Sequence, residues 1–451
     1  MALQVDLVVL GSGSAGQSVA FPCREAGWSV VVVDSDPFGG TCQLRGCDPK
    51  KVFVGVSELI DWGRRMQAKG MPAPPPTIVW GDMARFKRTF VASVPETVEK
   101  SLKDAGITTV HGRARFVGPD SVRVGDEVYS GRYVVIAAGA RHAPLGIPGE
   151  EHLTTSTGFL GLERLPGRVA FVGGGYIAFE FAHVAQRAGA QVSVLHRGSR
   201  PLEGFDADLV AQLVQATRDL GVDVRAGTPV RAVERRGSEL VVRAGVGEGE
   251  VEVAADLVVH AAGRVPEIDD LGTDVAGVAR AGNGGVAVNE FLQSVSNPAV
   301  YAAGDAAASG GLPLTPVAGM QGRTVAANLL NGNSRTPNYL GIPTAVFTTP
   351  TLARVGLDEA AAAAQGLRYK VHHEDISGWY SSRRVGALYA GFKTLVEDGT
   401  GRILGAHLLG PHAEEVVNIF GLAIRKGLSA GDLRDMVFAY PSGASDIAYM
   451  L

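Results

Sequence analysis

Residues 5–36 read VDLVVLGSGSAGQSVAFPCREAGWSVVVVDSD. They give an apolar run, a glycine turn, a helical stretch, and a second apolar run that closes on an acid. Gly11, Gly13 and Gly16 make G-x-G-x-x-G between the first run and the helix. Without Cβ atoms the backbone can approach a pyrophosphate, and the helix N-terminus offers it unpaired N–H groups. Asp34 ends the second strand, where a carboxylate can take a ribose 2′-hydroxyl. A glycine triplet alone is a weak signal. With two flanking strands and the acid in register it specifies a dinucleotide-binding unit. Pro22 should kink the helix, and Cys23 beside it should pack in the core.

The unit recurs at residues 167–200, GRVAFVGGGYIAFEFAHVAQRAGAQVSVLHRGSR. Gly173, Gly175 and Ala178 repeat the pattern ahead of another helix and strand. His196 stands at the acid position, followed by Arg197 and Arg200. Loss of a carboxylate and gain of guanidinium groups favours a 2′-phosphate, hence NADPH over NADH. Three related strand endings then mark the domain boundaries: VVIAAGARHAPLGIPG (134–149), VVHAAGRVPEI (258–268) and VYAAGDAAASGG (300–311). They describe one nucleotide-binding domain inserted in another. Asp305, on the glycine turn of the third, is placed to meet a cofactor's sugar or ribityl hydroxyls.

The 451 residues suffice for two or three domains with ample core. Sixty glycines imply many tight turns and close backbone approaches. A net charge of −4 and the lack of a basic run exclude a nucleic-acid footprint. The N-terminal apolar run breaks into glycine too soon for a signal peptide, and no apolar run is long enough to span a bilayer. A cytoplasmic protein is expected.

Two of the three cysteines lie in GGTCQLRGCDPKK, residues 39–51. In a reducing compartment such a pair is more often catalytic than structural. Closing so short a loop would restrain the unfolded chain by only roughly 2 kcal/mol. No cluster of His or Cys stands nearby to complete a zinc site, and no metal is expected. A redox pair is therefore favoured over a structural bridge or a metal site. Five residues turn about 500° of helix, so Cys42 and Cys47 cannot share one face of a regular helix. The first is expected in a distorted entry turn. Two nucleotide sites and a cysteine pair make an electron relay, with hydride from NADPH at the second site, FAD at the first, and two electrons passed to the pair.

The chain resembles the pyridine nucleotide–disulfide oxidoreductase family over nearly its whole length. The motifs are the cysteine segment, GGGYIAFEFA (173–182), GRVP (263–266), YAAGD (301–305), LTPVAGMQGR (314–323), IPTAVFTTP (342–350) and residues 401–424, which resemble the family's dimerisation domain. The resemblance implies an α/β fold with two Rossmann-like domains and a C-terminal α+β domain. It places a discontinuous FAD-binding domain at 1–149 and 267–337, an NAD(P)H-binding domain at 150–266 and a dimerisation domain at 338–451. A homodimer is implied. Cys47 would lie against the flavin as a thiolate and Cys42 would be the interchange thiol, its reactivity helped by a helix N-terminus and by Lys50 and Lys51. Lys51, or Lys50, would pair with Glu180 beside the flavin. Tyr176 matches the aromatic lid displaced by nicotinamide. Gly40, Thr41, Gly139, Asp305 and Thr315 fall at FAD-binding positions, and Gly173, Gly175, Ile177, Arg197, Arg200 and Arg264 at those of the second nucleotide.

The C-terminus departs from the family. Where H-P-T-x-x-E is usual, this chain has AYPSGASDIAYML (439–451). Tyr440 replaces the histidine, Ser445 the glutamate, and Asp446 stands one place late. A positioned acid is typically worth 10²–10⁴-fold when a thiolate leaves, and tyrosine exchanges protons poorly at neutral pH. His372, His373, His407 and His412 are expected to be satisfied or solvated rather than catalytic. Leu44 also replaces the usual asparagine beside the cysteines. These residues point to a reductase whose small-molecule acceptor is atypical: a specialised disulfide, a metal ion, a quinone or another electrophile. The competing readings are a glutathione- or dihydrolipoamide-type disulfide reductase in which Tyr440 suffices, and a low-turnover redox-sensing flavoprotein.

Overall fold

The computed structural model describes residues 2–247 and 249–451. They cluster into two compact units, each assembled from three separated segments. Segments 1–50, 85–143 and 263–339 form the first, and 51–84, 144–262 and 340–451 the second.

The first unit is built on a seven-stranded sheet. Its parallel part runs in the order Thr108–His111, Val30–Asp34, Leu3–Leu10, Glu127–Ile136 and Val300–Ala302. Ser121–Val124 and Ala114–Phe116 add an antiparallel extension beyond Glu127–Ile136. The apolar runs are unbroken because the parallel sheet is covered on both faces. Alternate residues feed opposite cores. Leu7, Val9, Val30, Val32 and Val135 pack with the helix Ser14–Glu25, while Val8, Leu10, Val31, Val33 and Val134 turn to the other side. The helix runs on through Pro22 without a break. Pro22 stands in its last turn, where only one backbone bond is forgone. Cys23 is fully buried in the first of these cores.

The second unit holds three sheets. A four-stranded parallel sheet runs in the order Asp223–Arg225, Gln191–Leu195, Arg168–Val172 and Leu257–His260. An antiparallel meander of Val230–Arg236, Glu239–Val246 and Gly249–Ala255 accompanies it. The C-terminal segment makes a five-stranded antiparallel sheet packed by the helix Ala413–Lys426. The mixed α/β architecture is the one expected from the sequence. No helix among the described residues is long and apolar enough to cross a membrane.

Within this unit Lys393, with a side chain only 5% exposed, places Nζ 2.8 Å from Asp206, 2.5 Å from Asp208 and 2.8 Å from Glu359. Its ammonium thus fills the centre of a three-carboxylate cluster. Asp206 also caps the helix Ala207–Asp219 by accepting from the Asp208 and Leu209 amides. Burial alone would raise the Asp206 carboxyl. Lys393 and the Leu209 amide outweigh it and hold the group below the ordinary carboxylate range.

Lys393→Met should therefore leave a buried carboxylate uncompensated and lower stability by about 3 kcal/mol, the low end for a broken buried pair because Asp208 and Glu359 still reach water. The depressed Asp206 pKa makes its stabilisation complete above pH about 4 and lost as pH falls through the lower folded value. Urea unfolding at pH 7 and pH 3 checks both statements. The penalty of the substitution should shrink at the lower pH.

Candidate active site

In the first unit the glycine loop joins Leu3–Leu10 to the helix Ser14–Glu25, whose cap residue Gly13 brings no side chain to its N-terminus. Gly11 has φ +112°, and a Cβ there would lie 2.3 Å from the Ala137 carbonyl oxygen. Ser12, between the first two glycines, is fully buried. Its N–H and hydroxyl donate to Asp34 Oδ2 at 2.8 and 2.6 Å, and its Oγ accepts from the Gly39 amide at 3.0 Å. Asp34 is thus the anchor of the loop before it meets any ligand. Gly40 packs its Cα directly on Gly13: with φ +72°, a Cβ at residue 40 would fall 2.5 Å from the Gly13 Cα. These contacts bring the cysteine segment to the nucleotide loop.

Cys42 does not lie in an entry turn of the helix that carries Cys47, as the spacing had suggested. It sits, with Thr41, in a short helix of its own, Gly40–Arg45, which Gly46 ends with φ −134° and ψ −116°. A Cβ on Gly46 would come within 2.8 Å of the Thr41 carbonyl oxygen and 3.2 Å of the Cys42 Cα. The missing side chain permits the fold-back. Cys47 then opens the helix Cys47–Arg65. Both cysteines are thiols here. Cys42 Sγ lies 3.7 Å from Asp48 Oδ1, and Cys47 Sγ lies 3.6 Å from Thr315 Oγ1 at the start of the helix Thr315–Asn331. The Cys42 thiol is pushed well above its ordinary pKa, first by its hydrogen bond to Cys47 and then by burial. This corrects the expectation of a depressed Cys42. The two sulfurs titrate as a pair.

Nearby in the same unit, Gly139 (φ +72°) leads into a two-strand ladder that pairs Ala140–His142 with Arg264–Pro266. The Arg264 guanidinium donates to the Ala140 carbonyl. Asp305 lies in a short 3-10 turn whose Gly304 amide donates to Gln321 Oε1 at 2.7 Å. Burial raises the Asp305 carboxyl, and the charge of Arg264 offsets part of that.

In the second unit Gly173 and Gly175 precede the helix Tyr176–Arg187, again capped by a glycine without a side chain. Tyr176 opens this helix half-exposed, followed by the partly buried Ile177. Glu180, one turn on, is 1% exposed. Lys51 Nζ lies 3.7 Å from Glu180 Oε2, and Lys50 is buried. The Phe347 amide donates to Glu180 Oε1 at 3.0 Å, and Lys51 Nζ stands 3.5 Å above the centre of the Phe347 ring. Phe347 belongs to the IPTAVFTTP stretch, but nothing in its residue type announces either contact.

The expected arginine pair behaves unevenly. Arg200 donates to the carbonyls of Phe205 at 2.8 Å and Glu203 at 3.2 Å, so its guanidinium brackets its own loop instead of standing free. Arg197 is exposed and makes no hydrogen bond or ion pair among the described residues. His196 is wedged between Gly174 and Gly198, with Nε2 3.0 Å from the Arg200 carbonyl and 3.6 Å from Glu203.

At the C-terminus, Tyr440 is 81% exposed and has no partner among the described residues. Ser445 is engaged in a reciprocal cap with Ser442. Asp446 accepts from Ser381, and burial raises its carboxyl. Of the histidines, His407 is buried, with Nε2 against the Leu357 carbonyl and its basicity lowered by burial. His412 is exposed and caps Ala413–Lys426.

Comparison with known proteins places the chain in a family. The pyridine nucleotide-disulphide oxidoreductase family matches residues 5–322, and its dimerisation domain matches residues 342–450. A glutathione reductase of Burkholderia cepacia is 32% identical over 444 residues, 98% of this chain and 97% of that protein. An uncharacterised 19.7 kDa protein in a mercuric resistance operon of Staphylococcus aureus is 53% identical over 167 residues, 37% of this chain and 93% of its own length. Among solved structures, the Cu(II) complex of RclA, an HOCl-induced flavoprotein disulfide reductase from Escherichia coli, superposes with a TM-score of 0.88 at 28% identity and covers 99% of this chain and 98% of that one. The family uses FAD and NAD(P)H, and its dimerisation domain fits a homodimer. The chain belongs to the pyridine nucleotide-disulfide oxidoreductases, and it is an enzyme of the flavoprotein disulfide reductase type.

Proposed function

We propose that this enzyme is an NADPH-oxidising, FAD-dependent reductase that works through a Cys42–Cys47 disulfide and delivers its electrons to a small acceptor needing no protonated thiol leaving group, a metal ion or a quinone. The observation that carries the acceptor is the C-terminal site. Tyr440, at the position of the family's histidine, is exposed and has no partner among the described residues, while Ser445 and Asp446 are engaged locally. The Cu(II) complex of RclA and the relative from a mercuric resistance operon support a metal ion. The identity to a glutathione reductase over 98% of the chain favours the second reading, a disulfide acceptor served by Tyr440.

The first unit fits FAD. Its helix Ser14–Glu25 has a side-chain-free cap for phosphate, and Asp305 offers a half-buried carboxylate for hydroxyl groups. Bound FAD supplies a two-electron carrier between NADPH and the disulfide. The protein does the rest. Tyr176 covers the nicotinamide position, and Glu180 orients Lys51, one helical turn beyond Cys47. Thr315 holds Cys47, and Cys42 keeps a proton while Cys47 carries the thiolate. The retained proton is released when the acceptor takes electrons from the interchange thiol. Arg197, its guanidinium exposed and without a partner among the described residues, selects the 2′-phosphate, whereas Arg200 shapes the loop that presents it.

Three measurements test these assignments. Anaerobic NADPH titration should bleach the flavin and raise a long-wavelength band, absent in Cys47→Ser. Reoxidation should then be fast with Cu(II) or a quinone and slow with glutathione disulfide, by about 10²-fold or more. Tyr440→His with Ser445→Glu should selectively speed the disulfide. Rapid wild-type turnover of glutathione disulfide, with no such gain, would reject the acceptor.

The cofactor preference should show as a higher kcat/KM for NADPH than for NADH. Arg197→Glu should remove most of that advantage, and Arg200→Glu should lower Tm as well, because its carbonyl contacts are structural. Equal wild-type efficiency with both nucleotides would overturn the preference.

The thiol assignment makes a separate prediction for reduced protein. Cys47→Ala removes the largest cause of the raised Cys42 pKa, so alkylation of Cys42 by iodoacetamide at pH 8 should become faster. Burial remains, so the rate should stay below that of a free thiol. An unchanged or slower rate, read by peptide mass spectrometry, would contradict the paired titration.

A further inference from the structure

Within the first unit the helix Thr315–Asn331 packs on Ser14–Glu25. The two approach most closely at Gly322, where a Cβ would fall 2.5 Å from the Ala15 carbonyl oxygen and 2.7 Å from the Ser18 Cβ. That approach fixes the register of the later helix. Gln321, the residue before, is 2% exposed. Its Oε1 accepts the Gly304 amide at 2.7 Å, and its Nε2 donates to Ser309 Oγ at 2.7 Å and to Tyr339 Oη at 2.9 Å. Only one orientation of this side chain serves all three partners. Reversed, its NH₂ would face the Gly304 N–H, and two donors cannot pair. Ser309 Oγ also accepts the Gly311 amide at 3.3 Å. Residues 304–311 are therefore tied at two points to one buried amide.

The tie matters for what the segment carries. Gly304 opens the 3-10 turn that holds Asp305, and its φ of +71° is a conformation that glycine enters and leaves at little cost. A Cβ there would lie 3.4 Å from the side chains of both Ala15 and Ala318, so the turn sits where the two helices meet. Asp305 is half-buried, and its carboxylate accepts no hydrogen bond among the described residues. Its direction is thus left to the backbone of a turn that begins with a glycine. The Gly304 N–H bond to Gln321 is what holds that backbone. Without an acceptor this N–H would be an unpaired donor inside the fold.

We propose that Gln321 is a positioning residue of the cofactor site: its Oε1 locks the Gly304 turn so that the Asp305 carboxylate meets a hydroxyl of the bound cofactor, and its two donor bonds keep that oxygen from turning away. This inference rests on the reading of Asp305 as a ligand of FAD hydroxyl groups. Gln321 acts on the cofactor only through Asp305.

The test follows FAD lost from the diluted holoenzyme, separated by ultrafiltration. Asp305→Ala should hasten the loss. Gln321→Leu, which removes the acceptor with little change of volume, should release FAD about tenfold faster than wild type. Gln321→Glu should retain FAD as wild type does. One of its oxygens can still accept the Gly304 amide, and the Ser309 and Tyr339 hydroxyls can turn to donate to the other. In an Asp305→Ala background Gln321→Leu should add nothing, as expected of a residue that acts through another. Ser309→Ala with Tyr339→Phe leaves the amide in place but unanchored. That pair should speed release about threefold, again only while Asp305 is present, and it carries the test if the leucine variant folds poorly. A leucine effect of equal size with and without the Asp305 carboxylate would make Gln321 a packing residue and overturn the proposal. Release from Gln321→Glu as fast as from Gln321→Leu would overturn it too. If Asp305→Ala releases FAD and Gln321→Leu does not, the inference fails while the reading of Asp305 stands. If Asp305→Ala changes nothing, both fall.

Discussion

The buried hydroxyl of Ser12 is the joint on which the redox half of the chain depends. It gives its proton to Asp34 and receives the Gly39 amide, while its own amide also reaches Asp34. Two bonds to an ionised carboxylate are each worth about 1.5–3 kcal/mol. Together they lock the glycine loop to the end of the second strand. The Gly39 bond then fixes where the cysteine helix starts, and Gly40 can settle against Gly13 only because neither carries a Cβ. The distance between nucleotide loop and cysteine pair is thereby set by one buried hydroxyl and by the Gly40–Gly13 backbone contact. Everything downstream, including the approach of Thr315 to Cys47, inherits that spacing.

The fold class was legible in the sequence because glycine turns and apolar runs are local signals. The strands at 5–10, 30–34 and 168–172 announce themselves as apolar runs, and each proves to be a buried parallel strand. The relation between Cys42 and Cys47 was only half legible. Helix periodicity excluded one regular helix, but the break at Gly46 depends on its contact with the Thr41 carbonyl, which no spacing rule encodes. The pKa of Cys42 was read with the wrong sign for a related reason. Nearby lysines in the sequence suggested a stabilised anion, whereas the dominant neighbour is the other thiol. Lys51 meanwhile turns to Glu180 and Phe347.

The arginines teach a similar lesson about commitment. Residue type made Arg197 and Arg200 equivalent phosphate binders, yet only tertiary structure tells which guanidinium is free. Arg200 closes its own loop through two carbonyls, so the charge remains but its direction is set. Ser12, Phe347 and Gln321 were missed altogether. Each acts through backbone amides or carbonyls of residues distant in sequence, and such partners are invisible to motifs. Glycine fingerprints say where a cofactor's phosphates go; they are silent on the polar groups that hold the reacting side chains in place.

The segmental build of the first unit has a consequence for biosynthesis. Its sheet needs the strand Val300–Ala302 beside Glu127–Ile136, and Cys47 meets Thr315 only through residues that emerge from the ribosome far later. The stretch 144–262 is contiguous, and its parallel sheet and meander can form while the remainder is still being made. The cysteine pair, translated within the first fifty residues, thus spends most of chain elongation outside its finished surroundings. During that interval Cys47 lacks Thr315 and the cores that bury the pair are unfinished, so a nascent chain is vulnerable to oxidants and soft metals in a way the completed enzyme is not.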